Sequence, residues 1–138
     1  MNIAFFLTPK SQVSFIYSDS TFRQGLEKLK RSGFAEIPVL SRDGSYLGTV
    51  SEGDFLWSLV DLGGASMRDC ESLRIGGLIR TDRTGSVKIT ADVSELVDTL
   101  LGHNFVAVTD DRGCFMGIVT RHTLLDHFRR TSTEDISK

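Results

Sequence analysis

One stretch of this chain occurs twice. Val39 to Leu56 reads as an apolar run, an Asp43-Gly44 turn, a second apolar run through Gly48, and then Ser51 opening a helix. The same succession returns 69 residues later, from Val108 to Leu125, with Gly113, Gly117 and Thr120 at the matching places. Such a chain is limited to a duplicated unit whose sites come in related pairs. With 138 residues in all, each copy is too small to bury much surface alone, so the copies are expected to share a core.

The repeat reaches beyond its strongest stretch. Thr21 with Gln24 three residues on reads as an N-cap, followed by Phe22, Leu26 and Leu29 at helical spacing. Asp92 and Glu95 match it, followed by Val93, Leu96, Val97, Leu100 and Leu101, and Gly33 and Gly102 fall where glycine ends a helix. Short strands are expected at Val13 to Ile16 and Val87 to Ile89, and lead-in turns at Ile3 to Pro9 and Leu78 to Asp82. Ile37 to Leu40 with Tyr46 to Val50, and Phe105 to Val108 with Phe115 to Val119, predict antiparallel hairpins. The fold class is α/β (α+β), two repeated β-α-β-β-α units related by a pseudo-twofold axis, assigned to residues 1–64 and 65–138. Asp61 to Leu73 is the linker-like stretch, and the polar tail from Thr131 is expected to fray.

Composition narrows the function. The chain is 40% apolar and 25% charged with a net charge of −2, which suits a globular protein and argues against nucleic acid as a partner. Lys28, Lys30 and Arg31 read as the solvated side of a helix. Pro9 cuts short the apolar start, so neither a signal peptide nor a membrane span is expected. Cys70 and Cys114 lie far apart, in keeping with a reducing cytoplasm. His103, His122 and His127 share no nucleophile or metal-ligand spacing, so catalysis and metal binding are not expected.

Ile37-Pro38-Val39, Asp43-Gly44, the run from Gly48 to Asp54, and Gly113 with Gly117 to Thr120 resemble a tandem pair of cystathionine-β-synthase (CBS) domains over nearly the whole chain. The resemblance implies two units packed sheet to sheet, with clefts that in many relatives hold adenosine nucleotides, and dimers shaped as a flat disc. Phe6 to Pro9, Asn104 to Val108 and Gly117 to Arg121 are similar to small stand-alone CBS pairs of Gram-positive bacteria. Some of those bind cyclic di-AMP and act on partner proteins.

The candidate site residues make chemical sense on their own. Ser51 stands where free backbone N–H groups and the helix dipole converge on an anion, and Asp54, one turn on, is placed to accept from ribose hydroxyls. In relatives these positions have those two roles. Ser51 to Asp54 is equally a plain capping box. In the second copy Thr120 keeps the hydroxyl, but Thr123 stands where relatives carry the acid, and Arg121 is placed either to pair with phosphate or to sit on the surface. That cleft is expected to prefer a phosphate-rich or different ligand, or to be empty. Val13, Ile37 and Pro38 are candidates to grip an adenine in one cleft, and Val87, Val106 and Ala107 in the other, each also a reasonable core residue. Lys10 and Gln12, after the first turn, are placed either to reach a phosphate or to be solvated. The helices after each motif carry surplus apolar residues, Trp57 above all, which reads as a homodimer surface or as a plug of the monomer core. With the resemblance, these residues imply a cytoplasmic regulatory module expected to sense AMP, ADP, ATP or cyclic di-AMP and to signal to an effector protein. The alternative is a ligand-free dimeric scaffold.

Overall fold

The structure, a computed structural model, describes residues 2–63, 68, 70–79 and 85–137, with side chains as far as Thr131. Among these residues the chain forms strands β1 (Thr8–Pro9), β2 (Ile16–Tyr17), β3 (Glu36–Leu40), β4 (Tyr46–Ser51), β5 (Ser86–Lys88), β6 (Phe105–Thr109) and β7 (Phe115–Thr120). The helices are α1 (Phe22–Ser32), α2 (Glu52–Asp61), α3 (Val93–Leu100) and α4 (Arg121–Ser137). Two compact units result, one of residues 14–84 and one of residues 1–13 with 85–138. The repeat boundary expected at 64/65 and most of the lead-in Leu78 to Asp82 lie outside the described residues.

In the 14–84 unit the sheet order is β2-β3-β4, with β2 parallel and β4 antiparallel to β3. The hairpin turns at Gly44, whose φ of 93° excludes most side chains. The capping box predicted at Thr21 has both arms, and Gly33 ends α1 in the left-handed conformation. The buried stripe of α1 is Phe22, Gly25 and Leu29, whereas Leu26, expected in the core, is 36% exposed. Gly25 takes its place because Ile75 packs directly over it, in a position where a Cβ would overlap Ile75 Cδ1.

Residues 85–138 repeat this plan around β6, with β5 parallel and β7 antiparallel to it. Both hairpins shift register at the same place, between Val39 and Leu40 and between Val108 and Thr109. Asp92 caps α3 as predicted, but Leu101 ends that helix in right-handed conformation and is 74% exposed, so Gly102 is no left-handed cap. The tail from Thr131 is helical backbone through Ser137 rather than frayed. Neither Gly nor Pro interrupts it, and Thr131 Oγ1 donates back to the His127 carbonyl.

The lead-ins do not stay with the repeats they precede. Ile3–Phe6 is a 3-10 turn whose Ile3 and Phe6 enter the core with Val87, Leu96, Val106, Val108 and Val119, and β1 adds to that sheet beside β7. The matching 3-10 turn Ile75–Leu78 enters the other core with Ile16, Phe22, Leu29, Ile37 and Val39. Backbone bonds from Ile75 N to Ser20 O and from Gly76 N to Ser18 O anchor it there. Each core is therefore completed by the lead-in of the other repeat.

Candidate functional site

Each unit carries its hydroxyl motif at the end of the hairpin, where the last strand residue also caps the following helix. Ser51 has extended backbone, φ −115° and ψ 166°, and its Oγ accepts from Asp54 N–H at 3.2 Å. In return Asp54 Oδ2 accepts from Ser51 N–H at 2.8 Å. The Glu52 N–H donates to Ala35 O at 2.9 Å, pinning the helix start to the head of β3. Asp54 is only 3% exposed, and this reciprocal bonding at a helix N-terminus makes a buried carboxylate tolerable.

The second motif keeps the pin but changes the chemistry. Arg121 N–H donates to Asn104 O at 2.9 Å, and Thr120 Oγ1 accepts from Thr123 N–H at 3.1 Å. Thr120 Oγ1 also donates to Thr123 Oγ1 at 2.8 Å, so two hydroxyls meet where a hydroxyl and a carboxylate stand in the other unit. The first turn of α2 carries Glu52 and Asp54, while that of α4 carries no acid. The start of α2 is thereby electrostatically satisfied and suited to hydroxyl donors, and the start of α4 is suited to an anion.

Arg121 is exposed, and its Nη2 donates to Leu100 O at 3.2 Å and Leu101 O at 3.3 Å, closing the C-terminal end of α3. Arg121→Ala is expected to lower stability by about 1 kcal/mol, with the loss read by thermal unfolding and partly recovered by lysine.

The other candidates divide by strand face. Ile37 is buried with the core beneath α1 and α2, and Val87 and Val106 are buried in the second core, so their side chains serve packing. Pro38 and Ala107 lie on the opposite faces of β3 and β6, which alternation makes the faces of Ser51 and Thr120. Both are buried. Val13 closes the 3-10 turn Lys10–Gln12 in the unit of residues 1–13 and 85–138, and Lys10 and Gln12 lie there too. The strand position matching Val87 belongs to Ile16, since Ile16 opposes Val39 as Val87 opposes Val108. Thr49, opposite Pro38 and bonded through Oγ1 to the Tyr46 hydroxyl at 2.8 Å, shares the Ser51 face and was not foreseen. The period-two alternation back from Ser51 was the available signal.

Beyond the motifs, α2 exposes Leu56, Trp57 and Val60, and α4 exposes Leu125 and Phe128. Trp57 is 49% exposed, so it does not plug the core. Among the described residues no helix is long and apolar enough to cross a membrane, and no group of three His, Cys, Asp or Glu side chains could hold a metal ion.

The family model of the CBS domain matches residues 7–61 and again residues 79–130. The chain belongs to the CBS-domain family. Its two units are CBS units, and the structure superposes on CBS-pair proteins over almost its full length. CbpB in complex with c-di-AMP matches at a TM-score of 0.90 with 19% identity, over 99% of this chain and 90% of that one. CbpB of Listeria monocytogenes in complex with c-di-AMP matches at 0.84 with 24% identity, over 95% and 97%. CBSX2 in complex with AMP matches at 0.77 with 19% identity, over 95% and 98%. No curated protein matches the chain.

Proposed function

We propose that this CBS pair is a cytoplasmic regulatory module that binds an adenine nucleotide at its hydroxyl motifs and passes occupancy, as a homodimer, to a separate effector protein. The observation that carries the reading is the buried Asp54 carboxylate, fixed against Ser51 at the start of α2. A vicinal diol offers two O–H donors to one carboxylate, a charge-assisted contact stronger than any neutral one. The Pro38 and Thr49 face beside it offers apolar and hydroxyl surface to the rest of a nucleoside. The acid-free start of α4, with Thr120, Thr123 and Arg121, suits a phosphate-rich group. Similarly folded proteins bound to c-di-AMP and to AMP support this ligand class. The apolar faces of α2 and α4 support self-association, and the reading assigns the protein no catalytic step.

A second reading is a ligand-free dimeric scaffold. What favours it is that the α2 capping box is complete without a ligand.

Thermal unfolding against AMP, ADP, ATP, cyclic di-AMP and S-adenosylmethionine separates the two. A ligand that binds only the folded state, at a hundred times its dissociation constant, adds about 2.7 kcal/mol. The sensor reading expects one nucleotide to do this. A panel without any shift, on a protein that remains dimeric, selects the scaffold.

A further inference from the structure

An open groove of about 370 Å³ runs along the 14–84 unit, lined by Phe15, Tyr17, Ser20, Gln24, Glu27, Lys28 and Arg31 with Ile16. No residue of the hydroxyl motif lines it. One wall is aromatic. Phe15 and Tyr17 flank Ile16, their rings set edge to face at 5.5 Å, and the Arg42 guanidinium covers Tyr17 at 4.1 Å while paired with Asp19. The rings are thus held in place before anything binds. The other wall is the stripe Gln24, Glu27, Lys28 and Arg31, whose i, i+3, i+4, i+7 spacing puts all four side chains along one side of α1.

We propose that this groove docks an extended acidic segment of another protein, with an apolar side chain on Phe15 and Tyr17 and carboxylates on Lys28 and Arg31. Three observations select that occupant. The charge balance is cationic: α1 carries Arg23, Lys28, Lys30 and Arg31 against Glu27 alone, in a protein of net charge −2, and neither Lys28 nor Arg31 is ion-paired among the described residues. The groove is open along its length, whereas a small ligand binds well only where most of its surface is enclosed. Finally, β2 is the terminal strand of its sheet among the described residues. Ser18 N–H donates to Leu40 O across the sheet at 2.8 Å, so by alternation the Tyr17 N–H faces away from β3, toward an added strand. Glu27 within the cationic stripe disfavours a continuous phosphate backbone and is tolerated by carboxylates spaced along a peptide.

The test is fluorescence anisotropy with a fluorescein-labelled peptide of glutamates flanking one phenylalanine, and with its lysine counterpart. Saturable binding of the acidic peptide is expected, weakening with salt and falling about tenfold in Lys28→Glu/Arg31→Glu. Lys28→Gln/Arg31→Gln is expected to fall between the two, and circular dichroism checks that both variants keep the fold. Absence of saturable binding, equal affinity for the lysine peptide, or equal affinity in the charge-reversed variant overturns the proposal. Displacement of the peptide by AMP would make the groove a nucleotide site, and a changed oligomeric state in the variant would make it a face for a second copy. Either result also overturns it. The nucleotide panel on the same variant is expected to be unchanged, so failure here leaves the sensing reading standing.

Discussion

Asp54→Asn is expected to weaken adenine-nucleotide binding by roughly ten- to a hundredfold while leaving the fold intact, because a hydrogen bond to a charged group contributes about 1.5–3 kcal/mol. Asparagine matches the carboxylate in shape and keeps an oxygen for Ser51 N–H, so the cap at α2 survives. What it loses is the charge and one acceptor oxygen, the two properties a ribose diol uses. Isothermal titration with the nucleotide that shifts the melting temperature measures the loss. Affinity unchanged in Asp54→Asn would mean that the carboxylate serves only as a cap. The reciprocal change, Thr123→Asp, places a carboxylate beside Thr120 where two hydroxyls now meet. It is expected to raise the affinity of the second motif for diol-bearing nucleotides and to lower its affinity for phosphate-rich ligands, since an acid then faces the anion at the start of α4.

Gly117→Ala is expected to destabilise the protein by about 3 kcal/mol, a drop of roughly ten degrees in melting temperature. Gly117 opposes Pro9 where β1 joins β7, and a Cβ there would overlap the Thr8 carbonyl oxygen and stand 3.0 Å from Pro9 Cα. Both are backbone atoms, so no rotamer change relieves the clash, and the φ of +154° is itself a glycine conformation. Strand β1 must move away, carrying with it the turn that seats Ile3 and Phe6 in the core. Gly33→Ala supplies the comparison. Its φ of +73° is also left-handed, but no atom lies within 4 Å of the added methyl, so it is expected to cost only about 1 kcal/mol. Equal melting temperatures for the two variants would show that docking of the N-terminal segment contributes little to stability.

Local features were readable in the sequence wherever a backbone requirement selects a residue type. Gly44 and Gly113 mark turns of positive φ, Thr21, Ser51 and Asp92 offer side-chain oxygens to the open N–H groups of helix starts, and Gly33 ends α1. The hairpins followed from apolar runs broken by those turns, and the family followed from their order, repeated. The motif pair was legible for the same reason, since Ser51 and Asp54 must be neighbours if they cap one helix turn.

What the sequence could not disclose was which face and which core each apolar residue joins. Ile37 and Pro38 are adjacent and equally apolar, yet alternation sends one into the core beneath α1 and turns the other toward the Ser51 face. Leu26 looked like core, but Ile75, distant in sequence, fills the space over Gly25 and leaves Leu26 at the surface. Val13 opens the apolar stretch Val13 to Ile16 and so reads as a strand residue, whereas the 3-10 turn of Lys10–Gln12 moves the strand on to Ile16.

Taken alone, the sequence determined the duplicated β-α-β-β-α plan, its caps and turns, and the residue types at the two hydroxyl motifs, because these are set by contacts among neighbours a few residues apart. Tertiary structure decided the exchange of lead-ins, the burial of Asp54 and the grouping of Phe15 and Tyr17 with the α1 stripe. Each of these depends on filling the space above a sheet with side chains from distant parts of the chain, and volume to be filled leaves no periodic trace along the sequence.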